Sequence, residues 1–404
     1  MTLELIDFAS ISVLLLVSYI SIFYLILWLE NKNKLFKRGK TPRSLPGLSV
    51  IIPAYNEGQN IKRILSNLLS VTYSKEKLEI IVVDDGSTDH TYEVAKSVSS
   101  RIRVFKKKHS GKAASINFGI MKAKNDFVAI VDADSILSKN ALVNSMKYFD
   151  DDVSSVTARI LVMKQKTIFE KWQDIEFKVV ALSRKVLEGI NLIFATPGPL
   201  SIYRKDVLKK IGMFDEKNLT EDVEIAWRLL KNGYKIRMAY DALVYSYYPE
   251  NFSRWWSQRI RWNIGGFQTI RKYLHCTFKN HPVGTFLIPM GVLGSFFSLF
   301  SVLILFYILA KFSSIAFIFL SNSLMLHYIP DITLTILPDL FAFYGAVLFF
   351  IAIYFLYVTL RQYHSNPSIF TLLLFFFVYP FLSLASFIYG ANKYFRREYS
   401  WGTK

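Results

Sequence analysis

The chain has 404 residues, enough for one domain of ordinary size together with several membrane spans. Its hydrophobic content of 52% and mean hydropathy of +0.28 exceed the usual values for a soluble enzyme, so membrane helices are expected. The single cysteine, Cys276, excludes an intrachain disulfide and a cysteine-based metal site. The net charge of +18 has three possible explanations: binding to nucleic acid, basic cytoplasmic flanks of membrane helices, or binding to anionic lipids and phosphate-bearing substrates. The positions of the basic residues in the sequence decide between them.

An uncharged stretch at residues 8–29 predicts a transmembrane helix within residues 1–30. Its length matches a hydrocarbon layer of about 30 Å at the helical rise per residue. A cleaved signal peptide is the alternative, but the basic start and the small-residue cleavage site of such peptides are missing. Acidic Glu4 and Asp7 precede the stretch and six basic residues follow it between residues 32 and 43, which places residue 31 onward in the cytoplasm.

Residues 31–250 have the composition of a soluble domain in which short apolar strands alternate with helices. This pattern predicts an α/β, Rossmann-like domain with a mostly parallel sheet. Active sites of such sheets lie at the carboxyl ends of the strands, so the polar residues after each strand are the candidates. The predicted strands include Leu48–Pro53, Glu79–Val83 and Phe127–Val131, and the predicted helices include 58–70, 88–99 and 111–124.

Each of these three predicted strands ends in acidic residues, which brings carboxylates to one edge of the sheet. Crowded carboxylates repel one another and resist burial unless a cation joins them, and oxygen ligands suit Mg²⁺ or Mn²⁺. Such an ion commonly completes its shell with substrate phosphates. The alternative for Asp84 and Asp89 is that they cap the following helix. The acidic residues are Glu57 after the first strand, Asp84, Asp85 and Asp89 after the second, and Asp132 and Asp134 after the third.

A further helix is predicted from Glu221 through Leu230. Thr220 is a suitable N-cap residue, and the carboxylates of Glu221 and Asp222 in the first turn suit the helix dipole. Capping is therefore the structural alternative to any chemical role for this acidic pair.

Residues 251–282 predict a basic amphipathic helix in the membrane interface, because large apolar residues recur at helical spacing with arginines between them. Gly265 and Gly266 are expected to break or kink this helix. A membrane anchor without chemistry is one interpretation of the segment. Three side chains of interest share one face of the helix, at spacing i, i+3 and i+4: Gln258, Arg261 and Trp262.

Residues 283–392 are again strongly apolar and predict about four transmembrane helices, followed by a basic tail at 393–404. A cytoplasmic tail requires an even number of spans after the catalytic domain, and its basic residues favour that side. Three spans would place the tail outside. The candidate spans are 283–305, 310–328, 338–360 and 369–390, of which the second is the most polar.

Seven segments resemble the family 2 glycosyltransferases with a GT-A fold, in particular the processive synthases of hyaluronan, chitin and poly-N-acetylglucosamine. The resemblance covers about residues 48–262 and implies a cytoplasmic GT-A catalytic domain inserted between transmembrane helices, with amphipathic interfacial helices. The segments are PAYNE (53–57), VVDDGSTD (82–89), HSGKAASINFG (109–119), VDADS (131–135), TPGPLSIYR (196–204), TEDVEIAWRL (220–229) and QRIRW (258–262).

The resemblance implies a nucleotide-sugar site. Asp85 would contact the uridine of a UDP-sugar and Lys112 the diphosphate. Asp132 and Asp134 would form the DxD pair that holds Mg²⁺ or Mn²⁺, with Asp134 as the direct ligand. The donor-binding residues implied are Pro53, Tyr55, Glu57, Asp85, Lys112, Asp132, Gln258, Arg261 and Trp401.

The resemblance also implies how the acceptor is activated. Asp222 would be the general base, with Glu221 beside it in the catalytic pair. Trp262 would form a stacking platform under the acceptor sugar, and Gly198 and Pro199 would border the acceptor. Inversion at the anomeric carbon is expected, because no second carboxylate is assigned as a covalent nucleophile.

We therefore expect an integral enzyme of the cell membrane that transfers sugar from UDP-GlcNAc or a UDP-hexose to a nascent polysaccharide, processively and coupled to export. The bilayer is an expected partner, and nucleic acid is not, because the basic residues concentrate at membrane flanks.

The ending Trp401–Lys404 resembles the gating segment of hyaluronan synthases. Phe194–Pro197 replaces the cysteine that those synthases usually carry before Gly-Pro, which speaks against hyaluronan itself. The alternatives are a single-addition transferase acting on a lipid such as polyprenyl phosphate, or an inactive membrane scaffold.

Overall fold

The computed structural model describes residues 5–32, 35–37, 39–296 and 340–399. The chain divides into two compact units, one formed by Met1–Ile26 with Met290–Gln362 and the other by Leu27–Pro289 with Tyr363–Lys404. The second unit contains the sheet and every candidate site residue in the described part of the chain.

A mixed sheet organises the second unit. Its order is β3-β2-β1-β4-β7-β6-β8-β5. The strands are β1 Leu48–Ala54, β2 Leu78–Asp84, β3 Ile102–Lys106, β4 Phe127–Ile130, β5 Ile136–Leu137, β6 Val153–Val162, β7 Ser201–Arg204 and β8 Lys235–Ser246.

Helices cover the sheet and extend beyond it. Those before the last strand are α1 Leu5–Asn31, α2 Ile61–Ser70, α3 Thr91–Val98, α4 Lys112–Lys122, α5 Ala141–Met146, α6 Ile168–Glu188, α7 Lys205–Lys210 and α8 Glu221–Lys231. Those after it are α9 Phe252–Tyr273, a 3₁₀ turn Leu274–Cys276, a π-helical turn Val283–Leu287, α10 Leu340–Gln362, α11 Ile369–Phe377 and α12 Tyr379–Arg396.

The parallel half of the sheet confirms the predicted βαβ arrangement. Strand β1 pairs in parallel with β2 and β4, and β2 pairs in parallel with β3. Every residue of β1 is buried, because helices pack on both of its faces. Val50 and Ile52 contribute to the core beneath α2, while Ile51 faces α4 at Gly119, where the missing side chain lets the helix approach closely.

The second half of the sheet differs from the predicted pattern. Strand β7 runs antiparallel to both β4 and β6, and β5 runs antiparallel to β8. Strands β6 and β8 pair in parallel, so this half of the sheet is mixed and the expectation of a mostly parallel sheet holds in full only around β1. The reversal turns the end of β4 and the loop before β7 toward each other, which positions the site described below.

Helix α9 is continuous through Gly265 and Gly266, so the predicted break is wrong. A Cβ atom on Gly265 would collide with the side chain of Thr220, so this glycine allows α9 to pack closely against the start of α8. Part of the predicted lipid-facing stripe is also internal. Trp255 is fully buried in a cluster with Trp172 and Tyr379.

The membrane segments are only partly described. Within the described residues, the stretch Ile369–Arg396 is long and apolar enough to cross a membrane by length and composition. In the first unit, α1 and α10 contact each other through the rings of Tyr24 and Phe355, whose centroids lie 6.3 Å apart. The predicted span 310–328, parts of spans 283–305 and 338–360, and the ending that contains Trp401 lie outside the described residues.

Candidate active site

The loop after β1 is tied to the loop after β2. The Asn56 backbone has a left-handed φ of 54°, which asparagine tolerates better than most residues, and its amide donates to Ser87 Oγ at 2.9 Å. The Glu57 amide donates to Thr91 Oγ1 at 2.8 Å. These bonds fix Tyr55 and Glu57, both candidate donor-binding residues, at the end of β1 beside the buried Pro53.

The acidic residues at the end of β2 have different surroundings. Asp89 accepts hydrogen bonds from the amides of Thr91 at 3.0 Å and Gly58 at 3.1 Å, so it joins the start of α3 to the first loop. Asp84 accepts from the Ser87 amide at 3.2 Å inside the core. Both carboxylates therefore stabilise turns. Neither is the N-cap residue of α3, which is His90, so the predicted capping role is not observed as such.

Asp85 is buried and surrounded by donors from a single loop. Its carboxylate accepts from Lys107 Nζ at 2.5 Å, from the amides of Ser110 at 3.0 Å and Gly111 at 2.8 Å, and lies 2.9 Å from His109 Nδ1. Asp85 thus shapes the segment that leads into α4.

The same loop places the ring of His109 over that of Tyr55, with 4.3 Å between centroids. Sequence motifs alone do not indicate this contact.

Lys112, the first residue of α4, connects two distant parts of the chain. Its Nζ lies 2.7 Å from Asp132 Oδ1 and 3.0 Å from Glu221 Oε1. Burial would lower the pKa of Lys112, but these two carboxylates outweigh burial and raise the pKa above its ordinary value. Lys112 is therefore a permanently charged cation between the end of β4 and the start of α8.

Asp132 and Asp134 follow β4 directly. The Asp132 amide donates to the carbonyl of Gly198 at 3.2 Å, which ties this loop to the one before β7. Asp134 is approached by the hydroxyl of Ser246 at 3.4 Å. Burial, together with the carboxylates of Asp132 and Glu57, raises the pKa of Asp134 to about 6.

These carboxylates fit a hard divalent cation. Asp134 is a half-buried carboxylate beside two further carboxylates, and the hydroxyls of Ser135 and Ser246 lie 3.5 and 3.4 Å from it, so a positive ion would relieve the repulsion that raises its pKa. No group of three or more His, Cys, Asp or Glu side chains among the described residues could hold a metal by itself. One or two carboxylates completed by phosphate oxygens are the usual arrangement for Mg²⁺.

The loop at Gly198 and Pro199 packs against the cation and the acids. A Cβ atom on Gly198 would lie 2.6 Å from Lys112 Nζ and 2.7 Å from both carboxylate oxygens of Asp132. Both the amide and the hydroxyl of Thr196 donate to the Asp222 carbonyl, at 3.1 and 2.9 Å. A side chain at position 198 would displace Lys112 or Asp132, and the loop fixes the first turn of α8.

Helix α8 presents Glu221 and Asp222 to the site. Burial and the neighbouring Glu221 raise the pKa of Asp222 to about 6. For Glu221, the positive charges of Lys112 and Arg261 outweigh burial and lower the pKa. The pKa values of these two adjacent carboxylates are therefore shifted in opposite directions. Thr220 occupies the N-cap position without a capping bond, and its hydroxyl instead donates to Asn218 at 3.2 Å.

Helix α9 brings Arg261 and Trp262 to the same side of the unit. Arg261 is exposed, and its charge acts on Glu221 and Asp222. Trp262 is half-buried, with the guanidinium of Arg259 4.5 Å from its ring centroid. Gln258 lies one turn before Trp262, and its Oε1 is buried without a hydrogen-bond partner.

Two residues near the site were not anticipated from the sequence. Arg259 pairs with both carboxylate oxygens of Glu176 and donates to Tyr379 OH at 2.9 Å, which holds it against Trp262. The ring of Tyr248 contacts that of Phe177, with 4.3 Å between centroids, and burial and the carboxylates of Asp134 and Asp132 raise the pKa of Tyr248, so it remains protonated. Arg259 could have been found from its spacing three residues before Trp262; Tyr248 carries no sequence signal.

The family model for glycosyltransferase-like family 2 matches residues 46–265, more than half of the chain. The chain belongs to glycosyltransferase family 2. The match includes β1 to β8, Lys112, both acidic pairs and the QRIRW segment of α9. The resemblance drawn from the motifs is thereby confirmed.

Relatives of this family 2 glycosyltransferase include two synthases from staphylococci. The poly-β-1,6-N-acetyl-D-glucosamine synthase of Staphylococcus aureus strain COL is 30% identical over 245 residues, and the alignment covers 58% of this chain and 58% of that protein. The synthase of the same name from Staphylococcus epidermidis is 28% identical over 291 residues and 68% of each chain. The chain thus spans less than two thirds of the length of the S. aureus protein.

A solved structure extends the likeness of fold beyond the matched family segment. The mannosyltransferase PcManGT from Pyrobaculum calidifontis, in complex with GDP-Man and Mn²⁺, superposes with a TM-score of 0.57 at 17% identity. The alignment covers 96% of this chain and 99% of that one. The fold is GT-A-like, with the mixed sheet described above.

Proposed function

We propose that this enzyme transfers N-acetylglucosamine from UDP-GlcNAc to the growing end of a polysaccharide, repeatedly and with inversion at the anomeric carbon. One observation carries the proposal: Lys112 forms ion pairs with both Asp132 and Glu221. Asp132 belongs to the part of the site assigned to the donor diphosphate, and Glu221 is next to the assigned base, Asp222. The named activity of the staphylococcal relatives supports the choice of sugar and polymer.

In the proposed reaction, Asp222 accepts the proton of an acceptor hydroxyl while that oxygen attacks the anomeric carbon. The bond from the anomeric carbon to the diphosphate oxygen breaks, and UDP leaves with the bonding electrons. Lys112 stabilises the negative charge that develops on the leaving diphosphate. The raised pKa of Asp222, about 6, suits a base that must be ionised near neutral pH and still accept a proton.

Asp134, together with Asp132, would hold Mg²⁺ or Mn²⁺ in this proposal. The bound ion supplies further neutralisation of the donor diphosphate. The remaining work falls to the chain itself: Asp85 shapes the loop that presents Lys112, and Gly198 leaves room for the Lys112–Asp132 contact.

The acceptor end of the site rests on α9. Trp262 offers an indole face to a sugar ring, and stacking on a flat surface does not require a single register, which suits repeated addition. Arg261 and Gln258 would border the donor sugar, and Pro199 would border the acceptor beside Gly198. The donor nucleotide would lie against Tyr55, Glu57 and Asp85, with Trp401 assigned to the same ligand.

The proposal also places the enzyme in the cell membrane with its catalytic unit in the cytoplasm. The 27-residue helix α1 and the apolar stretch Ile369–Arg396 support it, as do the basic residues that follow α1. The proposal includes export of the nascent glycan through the bilayer, which is supported by the continuity of the catalytic segment with such helices in the sequence.

The test uses the detergent-purified full chain with Mn²⁺ or Mg²⁺ and, in separate reactions, UDP-GlcNAc, UDP-glucose and GDP-mannose. Released nucleotide and product length are measured for the wild type, for Asp222→Asn and for Asp151→Asn, a control on an exposed turn. Long, metal-dependent product from UDP-GlcNAc, absent only in Asp222→Asn, is expected. Addition of one sugar to a co-purifying lipid would show that the enzyme is a single-addition transferase and not a polymerase. An active Asp222→Asn variant would show that Asp222 is not the base.

A further inference from the structure

A polar cavity lies outside the candidate active site, within the unit that holds the sheet. It has a volume of about 520 Å³, a size typical of small-molecule sites, and is lined by β6, α6 and the segment 363–371. None of the residues assigned to glycosyl transfer lines it.

Positive charge predominates in this cavity. Its lining contains Arg159, Lys171 and Lys178, with Asp174 as the single carboxylate. Lys178 Nζ lies 2.5 Å from Asp174 Oδ2, so these two charges compensate each other. Arg159 and Lys171 form no ion pair within the described part of the chain, and the cavity therefore carries two uncompensated cations.

Arg159 is fixed in place without an acidic partner. Its guanidinium lies 4.4 Å from the ring centroid of Tyr240 and 4.8 Å from that of Tyr363, between two aromatic side chains. Its Nε is buried and has no hydrogen-bond partner. A guanidinium held in this way, with unused donors, is suited to an anionic ligand that accepts several hydrogen bonds, such as a phosphate.

The part of the cavity wall formed by residues 365–368 is also fixed and rich in donors. Lys178 Nζ donates to Ser365 Oγ at 2.9 Å, which anchors the segment before α11 to α6. Asn366 and Ser368 complete this wall, and Lys171 lies exposed at the rim. The exposed rim gives a ligand access from outside the protein.

An exposed apolar surface begins where the cavity wall ends. Ser368 lines the cavity, and the next two residues, Ile369 and Phe370, are 73% and 65% exposed. Leu373 and Phe377 extend this exposed apolar surface along α11. The same helix begins the stretch Ile369–Arg396 that could cross a membrane. A phosphate in the cavity would thus lie next to a surface suited to hydrocarbon.

We propose that the cavity between Arg159, Lys171 and Ser368 binds the headgroup of an anionic phospholipid, with the acyl chains along the exposed side of α11. The phosphate would accept hydrogen bonds from Arg159 and Lys171, and the polar part of the headgroup would face Asn366 and Ser368. This inference rests on the proposed membrane association and is independent of the transfer chemistry.

The test measures lipid binding to the full chain purified in detergent by native mass spectrometry. Short-chain phosphatidylglycerol is titrated against phosphatidylcholine of equal chain length. One phosphatidylglycerol adduct is expected at concentrations where phosphatidylcholine gives none. Lys171→Gln should weaken it about fivefold, the effect of one basic residue near an anionic surface. Lys62→Gln, an exposed lysine on α2, is the matched control and should bind as the wild type does.

Phe370→Ser separates the two parts of the proposal. It should weaken phosphatidylglycerol and leave glycerol phosphate unaffected, because only the lipid reaches α11. Equal binding of the two lipids, or equal losses in Lys171→Gln and Lys62→Gln, would overturn the proposal. Displacement of the lipid by an equal concentration of inorganic phosphate or UDP would assign the cavity to a soluble anion and overturn the lipid as its occupant. Sugar transfer, measured on the same samples, should be unchanged in Lys171→Gln, which separates failure here from failure of the proposed function.

Discussion

The ammonium of Lys112 lies 3.0 Å from the carboxylate of Glu221, although the two residues are more than one hundred positions apart in the sequence. The contact joins the first residue of α4 to the first residue of α8. In the proposed reaction, these helices carry the group that stabilises the leaving diphosphate and the group that activates the nucleophile. A change at the contact should therefore affect both halves of the site.

Replacement of Lys112 by methionine should lower the transfer rate by at least about a hundredfold, as for loss of one preorganised group that stabilises developing charge. It should also weaken donor binding, because Asp132 and Glu221 would repel the diphosphate. Steady-state kinetics with varied UDP-GlcNAc measure both effects. Lys122→Met, at the exposed end of the same helix, is the control and should retain full activity. A Lys112→Met enzyme with a normal rate would contradict the assigned role.

The pH dependence of transfer should report Asp222. Its pKa is raised to about 6, so the carboxylate gains a proton as the pH falls through that value and then cannot accept one from the acceptor. The rate should be level at neutral pH and fall by about tenfold per pH unit below about pH 6. The measurement is kcat/KM at saturating Mn²⁺, with circular dichroism at each pH to exclude unfolding. A level profile across this range would argue against Asp222 as the base.

Gly198→Ala should reduce activity without unfolding the protein. The new Cβ atom would lie 2.6 Å from Lys112 Nζ and 2.7 Å from the Asp132 oxygens, so the cation and the carboxylate must move apart. A misplacement of this size at a catalytic centre costs about a hundredfold in rate. Rate and melting temperature are compared with those of Gly266→Ala, where a Cβ meets no atom within 4 Å. Equal rates in the two variants would show that this contact is not required.

Two adjacent glycines of α9 should respond oppositely to alanine. At Gly265 the new methyl group meets the side chain of Thr220, so Gly265→Ala should destabilise the protein by about 1–3 kcal/mol through overpacking. At Gly266 the space is open, and Gly266→Ala should stabilise the helix by up to about 1 kcal/mol. Thermal unfolding in detergent measures both variants. A stable Gly265→Ala protein would mean that α9 and α8 can separate without cost.

The strands around β1 were predictable because their sequences are continuous apolar runs that end in turn residues. Predicted Leu48–Pro53 is observed as Leu48–Ala54, and predicted Phe127–Val131 as Phe127–Ile130. The antiparallel placement of β7 was not predictable, since Ser201–Arg204 is short and its direction is set by partners far away in the sequence. Gly265 misled the prediction, because a glycine that weakens an isolated helix is here required by close packing.

The acids at the strand ends identified the site, but their individual environments came only from the structure. Asp89 and Asp134 follow strand ends in similar sequence contexts. Asp89 accepts backbone amides and shapes a turn, whereas Asp134 lies among other carboxylates. The link from Lys112 to Glu221 depends on the approach of two helices, which no local pattern encodes.

The burial of Trp255 has a practical consequence for any attempt to produce the catalytic unit as a shortened, detergent-free protein. Trp255 and Trp172 are covered by Tyr379, whose hydroxyl also accepts from Arg259. Cutting the chain after the family 2 segment, at residue 265, would expose two indoles to water and remove one partner of a buried guanidinium. Such a fragment should aggregate unless α11 and α12 are retained or the exposed indoles are replaced by polar side chains.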